Sequence, residues 1–222
     1  MADLFQRLSR LCLDKWRRLR KESLNGEDAD LYAEAAKDYL VKYLRLCQRG
    51  SGGGDLSRQF DAYRRLGSLF YSIGDYQSAC SHYNQALRLA ERLHMERMQL
   101  HCLTFIANSQ AFLGRNSEAI DTYKTAINFA MKIQADKSVE AQCLYRLGSA
   151  LLLIGNYTEA IMYFLQHGRI AEEVGDIHGR IRSIDCLIKS YRFVFFILVF
   201  FFFDRPFAGK LAITLKRTNI LI

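Results

Sequence analysis

The sequence repeats one pattern of small and aromatic residues three times, at separations of 40 and 41 residues. In each copy a glycine is followed five residues later by an alanine and nine residues later by an aromatic residue. Self-similarity at a fixed period of this length is the signature of a stacked repeat array, in which each repeat packs on its neighbours. The three sets are Gly74, Ala79 and Tyr83; Gly114, Ala119 and Tyr123; and Gly155, Ala160 and Phe164.

Each repeat is predicted to be a pair of antiparallel helices. Before the first glycine, Tyr63, Leu66 and Phe70 share one helix face, because offsets of three and four residues lie on the same side. Gly74 accepts the left-handed conformation that ends the first helix, and Asp75 can cap the second. The alanines are expected to let the neighbouring helix approach closely, and the rings to fill the groove between helices. With one proline and few β-branched runs, the chain is predicted to be all-α.

The repeats divide the chain into four predicted segments. Residues 1–28 are expected to form a basic amphipathic helix that caps the first repeat, a role favoured over a helix lying on an anionic membrane. Residues 29–57 are predicted to be a degenerate half-repeat, with Tyr39 at the ring position, followed by the flexible GSGGG linker. Residues 58–192 hold three full repeats and the start of a fourth, and residues 193–222 are a phenylalanine-rich tail.

The phenylalanine-rich tail begins with eleven consecutive apolar residues, Phe193 to Phe203. This run is too short for a membrane-spanning helix, which needs about 20 residues. It starts in mid-repeat, because the next turn glycine is expected near residue 195. We interpret residues 193–222 as the translation of unspliced or misframed sequence that cuts a longer array short. Such a tail would cap the last helix or cause aggregation.

The repeat pattern resembles the tetratricopeptide repeat, whose consensus orders a large residue, Leu-Gly, an aromatic residue, glycine, tyrosine, alanine, an aromatic residue and alanine. The resemblance covers about residues 58 to 192. It implies a solenoid of helical hairpins, wound as a right-handed superhelix, that works as a non-catalytic adaptor. The long period, and segments such as DKSVEAQCLYRLGSALLLIGNYTEAI, resemble the Partner of Inscuteable (Pins, or LGN) adaptor family, and rapsyn-like scaffolds are the next most similar.

The sequence departs from both of these families. Pins-type repeats carry an asparagine that faces the groove after Leu-Gly, and here only Asn108 is retained, whereas Ser68 and Ser149 replace it in the other repeats. The GoLoco segment of the Pins family, and the amino-terminal glycine and RING-type cluster of rapsyn, are missing. The adaptor resemblance implies a cytoplasmic protein, with the cell cortex as a further location.

No motif for catalysis, metal or nucleotide is present in the sequence. A phosphate-binding glycine loop, HExxH and GxSxG are missing, and GSGGG lacks the Lys-Ser that would hold a phosphate. The six cysteines include no CxxC pair, so we expect reduced thiols in an intracellular protein and neither a metal nor a cofactor. The net charge of +8 is mostly scattered and does not indicate nucleic-acid binding.

Function is expected on the inner face of the first helix of each hairpin. This face combines polar and basic edges with aromatic and aliphatic patches, which suits an extended or helical peptide with acidic and apolar residues. For Phe112, Leu152 and Leu153, burial by neighbouring helices is an equal alternative. The predicted peptide-binding residues are Arg64, Ser68, Tyr71, His101, Thr104, Asn108, Phe112, Gln142, Tyr145, Ser149 and Lys189.

The alternative function is a structural scaffold that associates with itself or with membranes through its exposed end. Membrane contact is expected only through the N-terminal helix or the phenylalanine-rich tail, and the pattern does not specify an oligomeric state. Replacing Arg64 and Asn108 by alanine separates the two functions, because loss of a partner with unchanged oligomer size favours the groove.

Overall fold

The structure is a computed structural model that describes residues 2–21, 26–48 and 55–202. Within these ranges the chain forms nine α-helices and no strand, which confirms the all-α prediction. The helices are α1 (Ala2–Lys21), α2 (Gly26–Gln48), α3 (Leu56–Ile73), α4 (Tyr76–Arg92), α5 (Glu96–Phe112), α6 (Asn116–Lys132), α7 (Lys137–Leu153), α8 (Tyr157–Glu173) and α9 (Ile177–Phe202).

The chain divides into two compact units, each of which packs consecutive helices against one another. The N-terminal unit, Met1–Asp136, holds α1 to α6, with contacts between α1 and α2, α3 and α4, α4 and α5, and α5 and α6. The C-terminal unit, Lys137–Ile222, holds α7 to α9, and α8 contacts both of its neighbours. Both units are therefore built from the helical hairpins that the repeat predicted.

The turn of the first hairpin follows the predicted chemistry. Gly74 has φ of +91°, in the left-handed region that favours glycine, and its backbone N–H donates to the Tyr71 carbonyl. Asp75 accepts a hydrogen bond from the Ser78 backbone N–H at 3.0 Å and so caps α4. The turn glycines of the second and third hairpins share the left-handed conformation.

The rings and alanines of the repeat form the centre of each hairpin. Tyr83, Tyr123 and Phe164 are almost fully buried, as are the three alanines that precede them. A Cβ atom added to Gly67 would lie 2.9 Å from the Tyr83 ring, and one added to Gly148 would lie 2.8 Å from the Phe164 ring. The ring of the second helix thus packs directly on the backbone of the first, because that position carries no side chain.

The first two helices pair as a hairpin of their own. Helix α1 packs along α2, and its Leu13 joins a buried cluster with residues of α2 and α3. The ring buried at the centre of α2 is Tyr43, which lies 40 residues before Tyr83, and Tyr39 is only partly buried. The prediction that Tyr39 holds the ring position is therefore wrong. It placed the ring 44 residues before Tyr83, whereas the packed structure keeps the 40-residue period.

Helix α9 runs unbroken to Phe202, through residue 195, where a turn was expected. None of the described helices is long and apolar enough to cross a membrane. The predicted origin of the tail stays a prediction, and residues 203–222 lie outside the described residues. The linker residues 50 to 54 also lie outside them.

Candidate functional site

The first basic part of the predicted peptide-binding surface is a small cleft between α1 and α3. Its volume is about 90 Å³, and the predicted residues Arg64 and Ser68 line it. The sequence analysis assigned α1 a capping role and missed its contribution to this cleft, although the seven-residue spacing of Arg10 and Arg17 brings both to one side of the helix. The α1 residues that line the cleft are Arg10, Leu13, Asp14 and Arg17.

One aspartate organises the arginines of this cleft. The two carboxylate oxygens of Asp61 accept from Arg64 Nη2 at 3.0 Å and from Arg65 Nε at 2.6 Å, and Gln6 of α1 donates at 3.0 Å. Burial by itself would raise the pKa of Asp61, but the hydrogen bond and charge of Arg65, with help from Gln6 and Arg64, hold that pKa below its ordinary value. Asp61 therefore fixes the positions of both guanidinium groups.

The Asp61 contacts predict a pH-dependent contribution to stability. Because the pKa is depressed in the folded chain, the stabilisation is complete above the unfolded value of about 3.9 and is lost as pH falls through the folded value. We expect Asp61→Asn to lower the free energy of unfolding by about 1 kcal/mol at neutral pH, and by progressively less at acid pH as the Asp61 carboxylate of the folded wild type becomes protonated. Urea titrations at neutral and at acid pH measure this difference. Asp121→Asn, at an exposed side chain of α6, is the control. If the wild type and Asp61→Asn differed in unfolding free energy as much in acid as at neutral pH, the prediction would be contradicted.

Aromatic side chains of α3, α4 and α5 form a cluster beside this cleft. The Tyr71 ring centroid lies 5.1 Å from that of Phe105 and 5.9 Å from that of Phe112. The rings of Tyr76 and Phe112 stack with centroids 4.5 Å apart, and His101 lies 4.7 Å from Phe105. Phe112 is still 54% exposed, so the cluster offers an apolar surface. Sequence reasoning missed Tyr76 and Phe105, although Phe105 lies one helical turn from His101.

Two predicted residues of α5 are buried. The Thr104 hydroxyl donates to the Leu100 carbonyl at 2.9 Å, and Thr104 is 6% exposed. Asn108 is 5% exposed, and its Oδ1 accepts a hydrogen bond of 2.5 Å from the hydroxyl of Tyr123, the ring of the same hairpin. Neither side chain presents a polar group to a ligand, and Asn108 holds the central ring of its own repeat.

A cleft of the C-terminal unit is formed by α7, α8 and α9. Its volume is about 530 Å³, within the range of ligand-binding pockets, and the predicted residues Gln142 and Tyr145 line it. The Arg182 guanidinium lies over the Tyr145 ring, 5.8 Å from its centroid, and Nη2 is 3.5 Å from Asp176 Oδ2. Arg146 also lines the cleft. The wall thus combines an aromatic face with two guanidinium groups and one carboxylate.

His167 lies at the base of this cleft. It occupies the position that holds alanine in the two preceding full repeats, is 3% exposed, and its Nδ1 lies 2.5 Å from Ser183 Oγ of α9. Its ring centroid is 5.4 Å from that of Tyr145. Burial, reinforced by the charge of Arg182, lowers the pKa of His167, so the imidazole is neutral at neutral pH. Histidine at a position that holds alanine in the other two full repeats is the sequence signal that marks this residue.

The remaining predicted residues of the C-terminal unit lie outside the cleft. Ser149 donates to the Tyr145 carbonyl of its own helix at 2.9 Å. Lys189 is exposed and pairs with Asp185 at 2.7 Å. Leu153 is 73% exposed, whereas Leu152 is half-buried. Across the described ranges, no group of histidine, cysteine, aspartate and glutamate side chains is arranged to hold a metal ion.

Comparisons with known proteins identify the repeats. Residues 58–132 match one family model of the tetratricopeptide repeat, and residues 141–166 match another. A search of curated proteins by sequence finds no match. Over those residues the hairpins described above match the sequence pattern of this repeat class.

Solved structures share the fold at low sequence identity. A kinesin light chain protein with nearly identical TPR-like repeats, from Podospora anserina, has a TM-score of 0.65 at 15% identity, covering 95% of this chain and 94% of that one. Aspartyl phosphate phosphatase F from Bacillus subtilis has a TM-score of 0.67 at 13% identity, covering 89% of this chain and 50% of that one. A Rap protein complexed with Competence and Sporulation Factor has a TM-score of 0.57 at 17% identity, covering 80% and 46%. These likenesses show the fold alone.

Proposed function

We propose, from the premise that residues 58–132 and 141–166 are tetratricopeptide repeats, that the chain is a non-catalytic adaptor that binds a peptide segment of a partner protein. The observation that carries this proposal is the cleft of about 530 Å³ in the C-terminal unit. A cleft of this size accepts one or two side chains of a peptide laid across the first helices of the hairpins. The Rap protein, whose solved structure holds Competence and Sporulation Factor, supports a binding role for the fold.

The partner segment is proposed to carry acidic and apolar residues. Arg146 and Arg182 face the cleft against one carboxylate, Asp176, which leaves positive charge for an acidic side chain. The Tyr145 ring and Ala171 supply an apolar wall for the neighbouring residue of the peptide. Guanidinium and aromatic groups are also the residue types that contribute most to binding at interfaces.

The N-terminal unit is proposed to offer a second anchoring surface of the same kind. There the aromatic cluster exposes Phe112, which stacks on Tyr76, and the cleft between α1 and α3 carries the arginines that Asp61 positions. Of the predicted residues in this unit, Arg64, Ser68, Tyr71 and His101 keep exposed surface and stay in the proposal along with Phe112. The finer resemblance to Pins-type adaptors, with its cytoplasmic and cortical location, likewise stays a proposal.

Arrays of synthetic peptides test the adaptor function on the full chain. In one set aspartate and glutamate alternate with leucine and phenylalanine, and in the other set lysine replaces the acidic residues. We expect the chain to bind members of the acidic set, and Arg182→Glu to weaken that binding at least about tenfold, since it reverses the charge over Tyr145.

Arg169→Glu is the matched control, because Arg169 is an exposed arginine of α8 that does not line the cleft. Circular dichroism of both variants verifies that the helices are retained. No binding to either set, or equal losses for Arg182→Glu and Arg169→Glu, would refute the proposed role of the cleft.

A further inference from the structure

Helix α9 exposes a continuous row of large apolar side chains, which we name the α9 stripe. Its six members are each 52% to 68% exposed and follow one another at spacings of four, three, four, three and four residues. That spacing keeps them on one side of the helix over about 27 Å, at 1.5 Å per residue. The α9 stripe consists of Ile177, Ile181, Ile184, Ile188, Tyr191 and Phe195.

Helix α9 has its large apolar residues on the exposed side and its small residues on the buried side, which is the reverse of an ordinary surface helix. The buried side of α9 carries small residues, Gly179, Ser183, Cys186 and Ser190, and α8 is the main described neighbour of the helix. Most of the large apolar surface of the helix thus faces away from its unit. Monomeric proteins rarely leave a contiguous apolar patch of this kind uncovered, so the α9 stripe is a contact surface.

The α9 stripe does not fit the second helix of another repeat of this kind. In the complete hairpins, the position that meets the partner's ring is Gly67, Ala107 or Gly148, and a Cβ at either glycine would already lie within 3 Å of that ring. The corresponding residue of α9 is Ile188, 40 residues after Gly148. Its branched side chain occupies the space that a buried ring would need. The occupant must instead interdigitate with side chains spaced three and four apart.

We propose that the α9 stripe pairs with the α9 stripe of a second copy of this chain. The two helices run antiparallel, and the two-fold axis crosses the stripe midway between Ile184 and Ile188. The spacing four-three-four-three-four is the same when read from either end. An antiparallel pair therefore places Ile184 opposite Ile188, Ile181 opposite Tyr191, and Ile177 opposite Phe195. Each copy supplies the same patch, as an isologous dimer interface requires.

The charges beside the α9 stripe favour apolar pairing over an ionic partner. Three of the four arginine and lysine residues of α9, Arg180, Arg182 and Lys189, each lie within 4 Å of a carboxylate of their own chain, at Glu172, Asp176 and Asp185. Arg192 is the remaining cation, so the charge that α9 offers to an acidic membrane or protein is small beside its six exposed apolar side chains. The dimer is accordingly expected to resist salt, whereas contact with anionic lipid weakens as salt increases.

Sedimentation equilibrium of the full chain tests the dimer. We expect a wild-type dimer in low and high salt, and Ile184→Asp to raise the dissociation constant at least about 100-fold, because the substitution places a charge in both copies. Met162→Asp is the matched control, since Met162 is an equally exposed apolar residue of α8 and should leave the dimer intact.

A mixing experiment tests the orientation and the register. Ile184→Asp and Ile188→Lys are each expected to be monomeric alone and to form a heterodimer when mixed, because the antiparallel pair sets these positions opposite each other. Mixing Ile184→Asp with Ile177→Lys should give no heterodimer. A monomeric wild-type chain overturns the proposal, whether its stripe is covered by residues 203–222, by lipid vesicles or by nothing. A dimer that tolerates Ile184→Asp overturns it as well.

Discussion

Replacing Phe164 by alanine should lower the free energy of unfolding by about 3–5 kcal/mol, the largest single effect expected in this chain. The ring is fully buried and packs on the bare backbone of Gly148, which has no side chain of its own to fill the space. The substitution therefore loses the burial of the ring and leaves a cavity. Phe164→Leu, which keeps most of the volume, should cost clearly less.

Urea unfolding of the wild type, Phe164→Ala and Phe164→Leu measures these differences in unfolding free energy. Because stability in a repeat array is approximately a sum of local terms, the loss should be greatest in the amide hydrogen exchange of α7, α8 and α9. Met162→Ala, two residues away on an exposed position of α8, should change stability by no more than about 0.5 kcal/mol. Equal stability of Phe164→Ala and the wild type would show that the ring is not central to the hairpin.

Asn108→Ala should destabilise the chain by about 1–3 kcal/mol, because it removes the acceptor on α5 for the hydroxyl of the buried Tyr123. A double-mutant cycle with Tyr123→Phe isolates the pair: once the hydroxyl is gone, the cost of Asn108→Ala should fall by about 0.5 kcal/mol or more. Ser149→Ala is the matched control. Ser149 holds the same position in the third hairpin, whose central ring, Phe164, has no hydroxyl group.

The alternative expectation for Asn108 follows from the groove-facing asparagine of Pins-type repeats. If Asn108 contacted a peptide directly, Asn108→Ala would weaken binding and leave the unfolding free energy unchanged. With a side chain only 5% exposed, loss of binding by this variant would instead report the stability of the second hairpin. Arg182→Glu is therefore the better variant for testing peptide binding.

The hairpins could be predicted from the sequence because their signals are local and periodic. Gly74 needs only its own backbone conformation to end α3, and Asp75 needs only the N–H group three residues later. The recurrence of Tyr83, Tyr123 and Phe164 at one period selected the buried face of each second helix. Tyr43 was missed because one repeat lacked the preceding glycine, although the same 40-residue period pointed to it.

The candidate site could be predicted only in part. Helical spacing placed Tyr71 on a face that joins the aromatic cluster, and Gln142 and Tyr145 on a face that lines the cleft of the C-terminal unit. It could not distinguish the buried Asn108, which bonds the ring hydroxyl of its own hairpin, from its half-buried counterpart Ser68, because both residues are polar and share one position. Which of two side chains at the same repeat position can contact a ligand depends on the residues that the facing helix places against it.

By itself, the sequence determined the all-α class, the positions of the turns in the three full hairpins and the rings at their centres. Only the tertiary structure decided that α1 lines a cleft with Arg64, that His167 and Arg182 meet around Tyr145, and that α9 leaves its isoleucines uncovered. The physical reason is that periodicity specifies which residues share a face of a helix. The neighbour that covers that face comes from elsewhere in the chain and is settled only when the helices pack.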